Sequence, residues 1–332
     1  MAERNSIHHD EMARFSGAKP GAALLVAKEG AIARAEAFGL ATVVKASACA
    51  VKTNFRLASL TKAFTAMSVL ILAQRGQLRL DDSLARFFPR WRGAGKEATL
   101  RQLLTHTSGL WDFEDLIPAG QIDPLRDGDV RNLIMSRRKT YFRPGAQFRY
   151  SNTGYVLLGL VVAKVSGVRF AEFLRDEIFR PLGMPGSVAW EPGFSTVPER
   201  ALGYTVAAEG VVLTDQDLTS RTLGDGGVYS SVMDLFRWDQ ALEAGKLISP
   251  ALWREAVMPW SKTSDFPGSG YGFGWYLGAR RGEACQWHYG STCGFSSRIE
   301  RYPGRRLTVI MLANRRDAGL APIVEKIVEE NW

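Results

Sequence analysis

Residues 55–62 read Phe-Arg-Leu-Ala-Ser-Leu-Thr-Lys, and they open the segment that decides the fold. From Ser59 to Gly76, apolar residues recur at intervals of three and four, a pattern that predicts a largely buried helix ending at the glycine. Ser59 and Lys62 are three positions apart, so they should share one face of this helix. The stretch thus predicts a central helix with a serine and a lysine side by side at its beginning.

The sequence predicts a β-hairpin near each end of the chain. Apolar segments flank short turn sequences that contain glycine, and Pro303 and Gly304 set the second turn. Because sequential strands usually pair, the simplest arrangement is one antiparallel sheet that the first and last helices cover. The four predicted strands are residues 22–27, 32–41, 295–302 and 307–312, and the turns are residues 28–30 and 303–305.

Between the hairpins the hydrophobic period is mainly helical. Thr99 and Gln102 have the spacing of a capping box, and Ser249-Pro250 supplies an N-cap followed by proline at the first helical position. We predict an α/β two-lobed fold, a single unit over residues 1–332 with a cleft between its lobes. The α/β lobe should comprise residues 1–75 and 226–332, approximately, and the inserted, mainly helical lobe residues 76–225. The predicted helices after the first are residues 99–104, 154–164, 169–179, 233–244, 250–258 and 321–330.

The composition is that of an ordinary folded chain of 332 residues, 46% hydrophobic and 23% charged. The longest uncharged apolar run, residues 155–163, is shorter than the roughly 20 residues that cross a bilayer, so no membrane span is expected. The net charge of +8 is spread along the chain, which favours a solvated surface over nucleic-acid binding. Three cysteines without metal-like spacing and no apolar leader in residues 1–20 favour the cytoplasm, or the periplasm if a leader has been removed.

The Ser-x-x-Lys pattern that begins at Ser59 can carry nucleophilic chemistry. A serine hydroxyl needs a neighbouring base to become a nucleophile, and a lysine can serve once burial lowers its pKa. The pattern occurs three times, but the match at residues 16–19 runs into a proline and the match at residues 136–139 lies in a basic run. Only Ser59 opens an apolar helix, although it could instead be merely the N-cap of that helix.

Tyr150 and Asn152 form a second candidate motif. Of the nine tyrosines, only Tyr150 has an asparagine two positions further on. The pair precedes a predicted helix, so it should lie on a loop at the cleft. A phenol can relay a proton to a leaving group and an amide can bind a substrate carbonyl, whereas a tyrosine packed against the helix is the structural alternative.

A third motif, His-Tyr-Gly-Ser at residues 288–291, enters the C-terminal hairpin. Gly290 would allow another backbone or a ligand to approach the strand closely, and the adjacent Ser291 amide could stabilise an oxyanion. A histidine at the edge of a strand more commonly makes a structural hydrogen bond, so this role for His288 is the alternative.

These three motifs, in this order, resemble those of the serine β-lactamase and penicillin-binding protein superfamily, in the branch of class C β-lactamases, D-Ala-D-Ala carboxypeptidases, D-aminopeptidases and β-lactamase-like esterases. The resemblance implies Ser59 as the acylated nucleophile, Lys62 as its base, Tyr150 as a second acid/base and Asn152 as a ligand of the substrate carbonyl. It also implies an oxyanion hole made by the backbone amides of Ser59 and Ser291. Further similar segments are residues 103–110 (LLTHTSGL), 144–155, 224–231 (GDGGVYSS), 271–276 and 311–314.

His288 departs from the family pattern, because it stands where lactamases and peptidases generally have lysine. A neutral imidazole attracts a substrate carboxylate much less than an ammonium ion does, and esterase-like members often lack that lysine. The resemblance therefore implies a serine hydrolase of small carboxylic esters or amides. The alternatives are a β-lactamase or D-amino-acid peptidase and, in another class, a penicillin-binding or sensor protein without turnover.

No metal or cofactor is expected. The chain has no H-E-x-x-H, no C-x-x-C, no complete Walker loop and no G-x-S-x-G elbow. The pair His8-His9 should belong to a frayed terminus rather than to a metal site. A small ester, amide or β-lactam is the expected partner, and the oligomeric state is left open.

Overall fold

The computed structural model describes residues 11–316 and 318–332, so His8 and His9 lie outside the described residues. The strands are β1 (Ala22–Lys28), β2 (Ala31–Phe38), β3 (Leu40–Thr42), β4 (Ser47–Ala48), β5 (Phe55–Arg56), β6 (Val188–Ala189), β7 (Tyr204–Ala207), β8 (Gly210–Leu213), β9 (Val228–Ser230), β10 (Ser261–Lys262), β11 (Gly270–Tyr271), β12 (Tyr276–Arg280), β13 (Glu283–Thr292), β14 (Phe295–Tyr302) and β15 (Leu307–Ala313). Eight of these strands form one antiparallel sheet in the order β10-β11-β12-β13-β14-β15-β1-β2.

Both predicted hairpins are confirmed, and they meet in this sheet. The turn between β1 and β2 places Glu29 and Gly30 at φ angles of 52° and 81°, the left-handed region that a tight hairpin turn requires. The first and last strands of the chain are neighbours, because β1 pairs with β15 in a register that sets Leu25 opposite Ile310. The sheet therefore joins the two ends of the sequence.

The helices are α1 (Thr61–Gln74), α2 (Leu84–Phe87), α3 (Leu100–Leu104), α4 (Asp127–Met135), α5 (Asn152–Ser166), α6 (Phe170–Leu174), α7 (Val232–Glu243), α8 (Pro250–Ala256) and α9 (Leu320–Glu330). The predicted capping box is present at α3, where Thr99 accepts from the Gln102 amide and the Gln102 side chain accepts from the Thr99 amide. Ser249 caps α8 by accepting from Leu252 at 3.3 Å. A π-helical turn, Arg175–Phe179, continues α6.

The central sheet separates two apolar cores because successive residues of a strand point to opposite faces. On β1, Ala23 and Leu25 lie in the core that contains α1 and α7, whereas Leu24 and Val26 lie in the core beneath α9. Twelve of the fourteen residues of α1 are buried. Helix α1, which carries Lys62, also packs against α5. It is therefore almost completely buried.

The chain between α1 and β9 carries α2 to α6 and the short strands β6 to β8, so it is mainly helical. Strands β10, β11 and β12 extend the sheet beyond β13, and no sequence pattern predicted them. The structural alternative for His288 expected a position at a strand edge, whereas this residue lies inside the ten-residue strand β13. In the part of the chain that the structure describes, no helix is both long enough and apolar enough to cross a membrane.

Candidate active site

Ser59 lies on a tight turn in front of α1 and is not its N-cap. It is the middle residue of the 3-10 turn Ala58–Leu60, and Leu60 is the N-cap residue of α1. Ala58 has a φ of 50°, a conformation that is strained for a residue with a Cβ atom. The N-cap alternative is therefore wrong, and the turn aims the Ser59 side chain at Lys62 instead.

Strand β13 lies directly against this turn. A Cβ atom at Gly290 would stand 2.3 Å from the Leu57 carbonyl oxygen and 2.9 Å from the Ala58 Cβ, so the close approach requires glycine. Ser297 Oγ donates to the same Leu57 oxygen at 2.6 Å. Gly290 thus stands beside the Ser59 turn, with Ser291 next to it on the exposed side of the strand. The oxyanion role of the Ser59 and Ser291 amides stays a prediction.

Lys62 is buried, and its ammonium group is held by three oxygen acceptors. Lys62 Nζ donates to Ser59 Oγ at 3.0 Å, to Asn152 Oδ1 at 2.7 Å and to the Asp225 carbonyl at 3.0 Å. Burial lowers the pKa of Lys62 to about 8, although the neighbouring carboxylates oppose that shift. At pH 7 roughly one molecule in ten then carries the neutral amine that a general base requires.

Tyr150 approaches the same hydroxyl from the other side. Its side chain hydrogen-bonds with Ser59, and Lys62 Nζ lies 4.9 Å from the centre of its ring. Burial raises the pKa of Tyr150 well above its usual value, while the Ser59 hydrogen bond opposes the shift. The phenol therefore stays protonated at neutral pH, which suits a proton donor better than a permanent base.

Asn152 is the first residue of α5, and two acidic residues fix its position. Its backbone amide donates to Asp112 Oδ2 at 2.6 Å, and its Nδ2 donates to Glu114 Oε1 at 2.8 Å. Because Oδ1 accepts from Lys62, both ends of the Asn152 amide are hydrogen-bonded, and its role as a ligand of the substrate carbonyl stays a prediction. Burial and then the Asp112 carboxylate raise the pKa of Glu114 to about 7. The sequence motifs assigned no role to either acid.

His106 is a further residue that sequence reasoning did not assign, although it stands within the quoted LLTHTSGL segment. Its ring is buried and lies 4.2 Å from the Tyr150 ring, at an interplanar angle of 31°. His106 Nδ1 accepts from the Ser151 amide at 3.1 Å, so this nitrogen carries no proton. Burial, and then Lys62, lower the pKa of His106 well below its usual value. A neutral, oriented ring thus supports the loop that carries Tyr150.

His288 is neutral, as the sequence predicts, but its ring does not face the solvent. It is fully buried, with Nε2 at 3.0 Å from the Tyr271 hydroxyl and Nδ1 at 2.8 Å from the Tyr289 carbonyl oxygen. Because the carbonyl can only accept, Nδ1 carries the proton and Nε2 accepts from the tyrosine. Burial and then Lys62 lower the pKa of His288 to about 3.

Acidification should therefore not turn His288 into a carboxylate-binding cation. Since its pKa lies near 3, we expect the ratio of kcat/KM for a cephalosporin to kcat/KM for a neutral aryl ester to change less than about twofold between pH 7 and pH 5. The measurement belongs in a Glu114→Gln background, because Glu114 itself titrates in this window. A tenfold rise of the ratio on acidification would contradict a buried, neutral His288.

Two arginines near the motifs in sequence, Arg149 and Arg298, could supply a cation in place of the missing lysine, and the structure separates them. Arg298 is buried and paired with Glu300, its Nε donating to Oε1 at 2.8 Å, so it is committed to the protein interior. Arg149 is exposed, lies 3.9 Å from the centre of the Tyr141 ring and makes a 3.4 Å ion pair with Asp115. It borders an open cavity of about 560 Å³, which is lined by Tyr141, Phe142, Gln147, Phe148, Arg149, Tyr150, Ser264 and Asp265.

The antiparallel sheet, the flanking helices and the Ser59 turn define a serine hydrolase of the β-lactamase and penicillin-binding protein superfamily. The chain belongs to the Beta-lactamase family, whose sequence model matches residues 8–326. Among curated proteins it is similar to Penicillin-binding protein 4* of Bacillus subtilis, with 34% identity over 89% of this chain and 68% of that protein. It is also similar to Protein flp of Staphylococcus aureus, with 27% identity over 97% of this chain and 64% of that protein.

Comparison with solved structures indicates the same superfamily. The octameric penicillin-binding protein homologue from Pyrococcus abyssi has a TM-score of 0.83 and 28% identity, over 96% of this chain and 74% of that chain. The D-amino acid amidase from Ochrobactrum anthropi SV3, complexed with D-phenylalanine, has a TM-score of 0.83 and 26% identity, over 97% of this chain and 96% of that chain. The chain thus spans nearly all of the amidase and about two thirds of the two curated relatives.

Proposed function

We propose that the protein hydrolyses small carboxylic esters or amides through an acyl-enzyme on Ser59. One observation carries the proposal: the buried Lys62 amine lies 3.0 Å from Ser59 Oγ, within reach of the proton that must leave before the serine can attack. Tyr150 contacts the same hydroxyl and stays protonated, so it can supply the proton that the leaving group needs.

The proposed reaction has two steps. In the first, neutral Lys62 accepts the Ser59 proton while Oγ attacks the substrate carbonyl, and the amides of Ser59 and Ser291 stabilise the oxyanion. Tyr150 donates a proton to the departing alcohol or amine, and Lys62 restores it. In the second step water attacks the acyl carbon and gives a proton to neutral Lys62. The bond between the acyl carbon and Ser59 Oγ then breaks, Lys62 returns the proton to Oγ, and the carboxylic acid leaves. Asn152 Nδ2, which donates to Glu114, is the group that we assign to the substrate carbonyl.

The charges around Ser59 favour a substrate without a carboxylate. His288 is neutral, whereas Asp112, Glu114 and Asp225 all act on Lys62 as negative charges. The carboxylates of Asp112 and Glu114, which are not buried, repel a carboxylate and attract an amine, and Glu114 accepts a hydrogen bond from the Asn152 amide assigned to the substrate carbonyl. Small amides or esters with a free amine therefore fit best. The similarity to a D-amino acid amidase supports this substrate class.

A matched pair of amides tests the substrate class. At pH 7.5 we expect D-phenylalanine p-nitroanilide to be hydrolysed with a kcat/KM about five to ten times that of 3-phenylpropanoyl p-nitroanilide, which lacks only the amine. Glu114→Gln should remove most of that preference, because the amide side chain keeps the Asn152 contact but loses the charge. Glu209→Gln, at an exposed turn between β7 and β8, is the control and should keep it.

A second candidate is hydrolysis of β-lactams or D-amino-acid peptides, favoured by the similarity to penicillin-binding proteins. The same panel should include a cephalosporin and a p-nitrophenyl ester, each assayed with wild type and with Ser59→Ala. A wild-type enzyme that prefers the cephalosporin to the ester would overturn the ester and amide proposal. A burst of product without steady-state turnover would favour a penicillin-binding or sensor protein.

A further inference from the structure

The segment that follows Thr222 is bound to the catalytic helix and to β5 by three consecutive carbonyl groups. All three accept hydrogen bonds from buried side chains, namely Thr65 Oγ1 to Gly224 at 2.6 Å, Lys62 Nζ to Asp225 at 3.0 Å and Arg56 Nε to Gly226 at 3.1 Å. A Cβ atom at residue 224 would lie 2.2 Å from the Tyr155 carbonyl oxygen, so the segment approaches α5 as closely as a glycine permits. Asp225 is thereby fixed between two cations.

The Asp225 carboxyl group is a buried charge that the proposed reaction does not use. Asp225 is 6% exposed, and its Oδ1 makes no hydrogen bond among the described residues. Arg56, 2% exposed, likewise has its Nη1 without a partner in the described part of the chain. Isolated charges are costly to bury, whereas a carboxylate that faces two buried cations is stabilised by both. Burial raises the pKa of Asp225 above its usual value, and the charges of Lys62 and Arg56 oppose that rise. The two cations therefore favour the ionised form of Asp225.

We propose that the buried Asp225 carboxylate is the counter-ion of Lys62 and sets the pH above which Lys62 can accept the Ser59 proton. This inference rests on the function proposed above, since it assigns a positioning residue to the same general base. The backbone carbonyl of Asp225 orients Lys62 Nζ by accepting its hydrogen bond. The Asp225 side chain sets the pKa of the Lys62 amine. Asp225 lies within the GDGGVYSS segment, to which sequence reasoning gave no catalytic role.

Several other charged or titratable groups face this pair, and the test must separate them. Asp112 and Glu114 on the loop before α4, and Arg56 on β5, act on Lys62 or on Asp225. Asp127 acts on Asp225, and burial raises its pKa to about 8. The aromatic side of the site contributes His106, His288 and Tyr150, which the local burial keeps uncharged near neutral pH. Of the groups around Asp225, Glu114 and Asp127 have pKa values within the pH range of interest, so both need control variants.

The sign of the effect follows from the charge. A negative Asp225 stabilises the ammonium form of Lys62 and so raises its pKa, against the lowering by burial. Removing the charge should make Lys62 neutral at lower pH. The acid limb of the acylation rate should then move to lower pH by about one unit, the lower end of the shift that a nearby opposite charge produces.

The measurement is the pH dependence, from pH 5 to pH 10, of the rate at which a fluorophosphonate labels Ser59. Asp225→Asn keeps the shape and the backbone carbonyl but removes the charge, and Asp225→Ser removes it with a smaller side chain. Both variants should shift the midpoint downwards by about one pH unit. Near pH 6 the probe should label Ser59 in both variants up to about ten times faster than in wild type. Structural damage alone would lower this rate rather than raise it.

Matched variants decide the assignment. Glu114→Gln and Asp127→Asn should shift the midpoint less than Asp225→Asn, and Glu209→Gln should leave it unchanged. An unchanged midpoint in a folded Asp225 variant, or a larger shift from Glu114→Gln, would overturn the inference. If wild type is not labelled at Ser59 at all, the proposed function itself fails, so the two failures are distinguishable. Should Asp225→Asn not fold, as judged by thermal unfolding, Asp225→Ser carries the test.

Discussion

Ser59→Ala is expected to abolish covalent labelling by a fluorophosphonate and to lower kcat/KM by at least about 10³-fold. The reason is geometric, because Ser59 Oγ is the only serine hydroxyl that receives a hydrogen bond from a lysine amine among those that the structure describes. The fold should survive, since the hydroxyl caps no helix and is replaced by a smaller group on a preformed turn. Turnover of an aryl ester and intact-mass labelling provide the measurement, with circular dichroism to verify the fold.

The other two Ser-x-x-Lys matches supply internal controls for the labelling experiment. Ser16 Oγ donates to the Met12 carbonyl at 3.2 Å, and Ser136 Oγ donates to the Leu133 carbonyl at 2.8 Å. Both hydroxyls are thus engaged with local backbone rather than with a base. Peptide mapping after labelling should find the probe on Ser59 alone. A probe on residue 16 or 136, or unchanged turnover in Ser59→Ala, would refute the assignment.

The parts of the fold that the sequence predicts well are those set by local patterns. The hairpin turns at residues 28–30 and 303–305, the capping box of α3 and the proline at the start of α8 depend on residues within a few positions of one another. The strands β10 to β12 lack such a signal, because two of them have only two residues each. They form by successive pairing, β12 with β13, β11 with β12 and β10 with β11, which is a property of the assembled sheet.

The candidate site shows the same division between local contacts, which the sequence predicts, and long-range contacts, which it does not. The Ser59 and Lys62 pair is local, so its geometry follows from helical spacing. The contacts that set its chemistry are not local, because Asn152 lies 90 positions and Asp225 163 positions from Lys62. His288 shows the limit most clearly: its neutrality follows from its residue type, but its burial depends on Tyr271 coming from another strand.

Lys62 and Tyr150 are expected to act as one coupled proton-transfer pair. Each contacts the Ser59 hydroxyl, and Lys62 Nζ lies 4.9 Å from the Tyr150 ring, so removing either interrupts the same proton path. Lys62→Ala and Tyr150→Phe should each lower kcat/KM by about 10² or more. The double variant should lose much less than the product of the two single losses, because a path that is already broken cannot be broken again.

Two residues that act independently should instead show losses of kcat/KM that multiply in the double variant. The double variant therefore distinguishes a coupled pair from two independent residues. If Lys62 only anchored the turn and Tyr150 only shaped the pocket, their effects would multiply, since they would raise the barrier through separate contacts. Lys52→Ala, at an exposed lysine near the site in sequence, should leave kcat/KM within about twofold of wild type and serves as the control for lysine removal. The four kcat/KM values of the double-mutant cycle, measured with one aryl ester at pH 8, distinguish the cases. Full multiplication of the two losses would show that Lys62 and Tyr150 do not share a proton, and the Ser59 mechanism would then need a different acid.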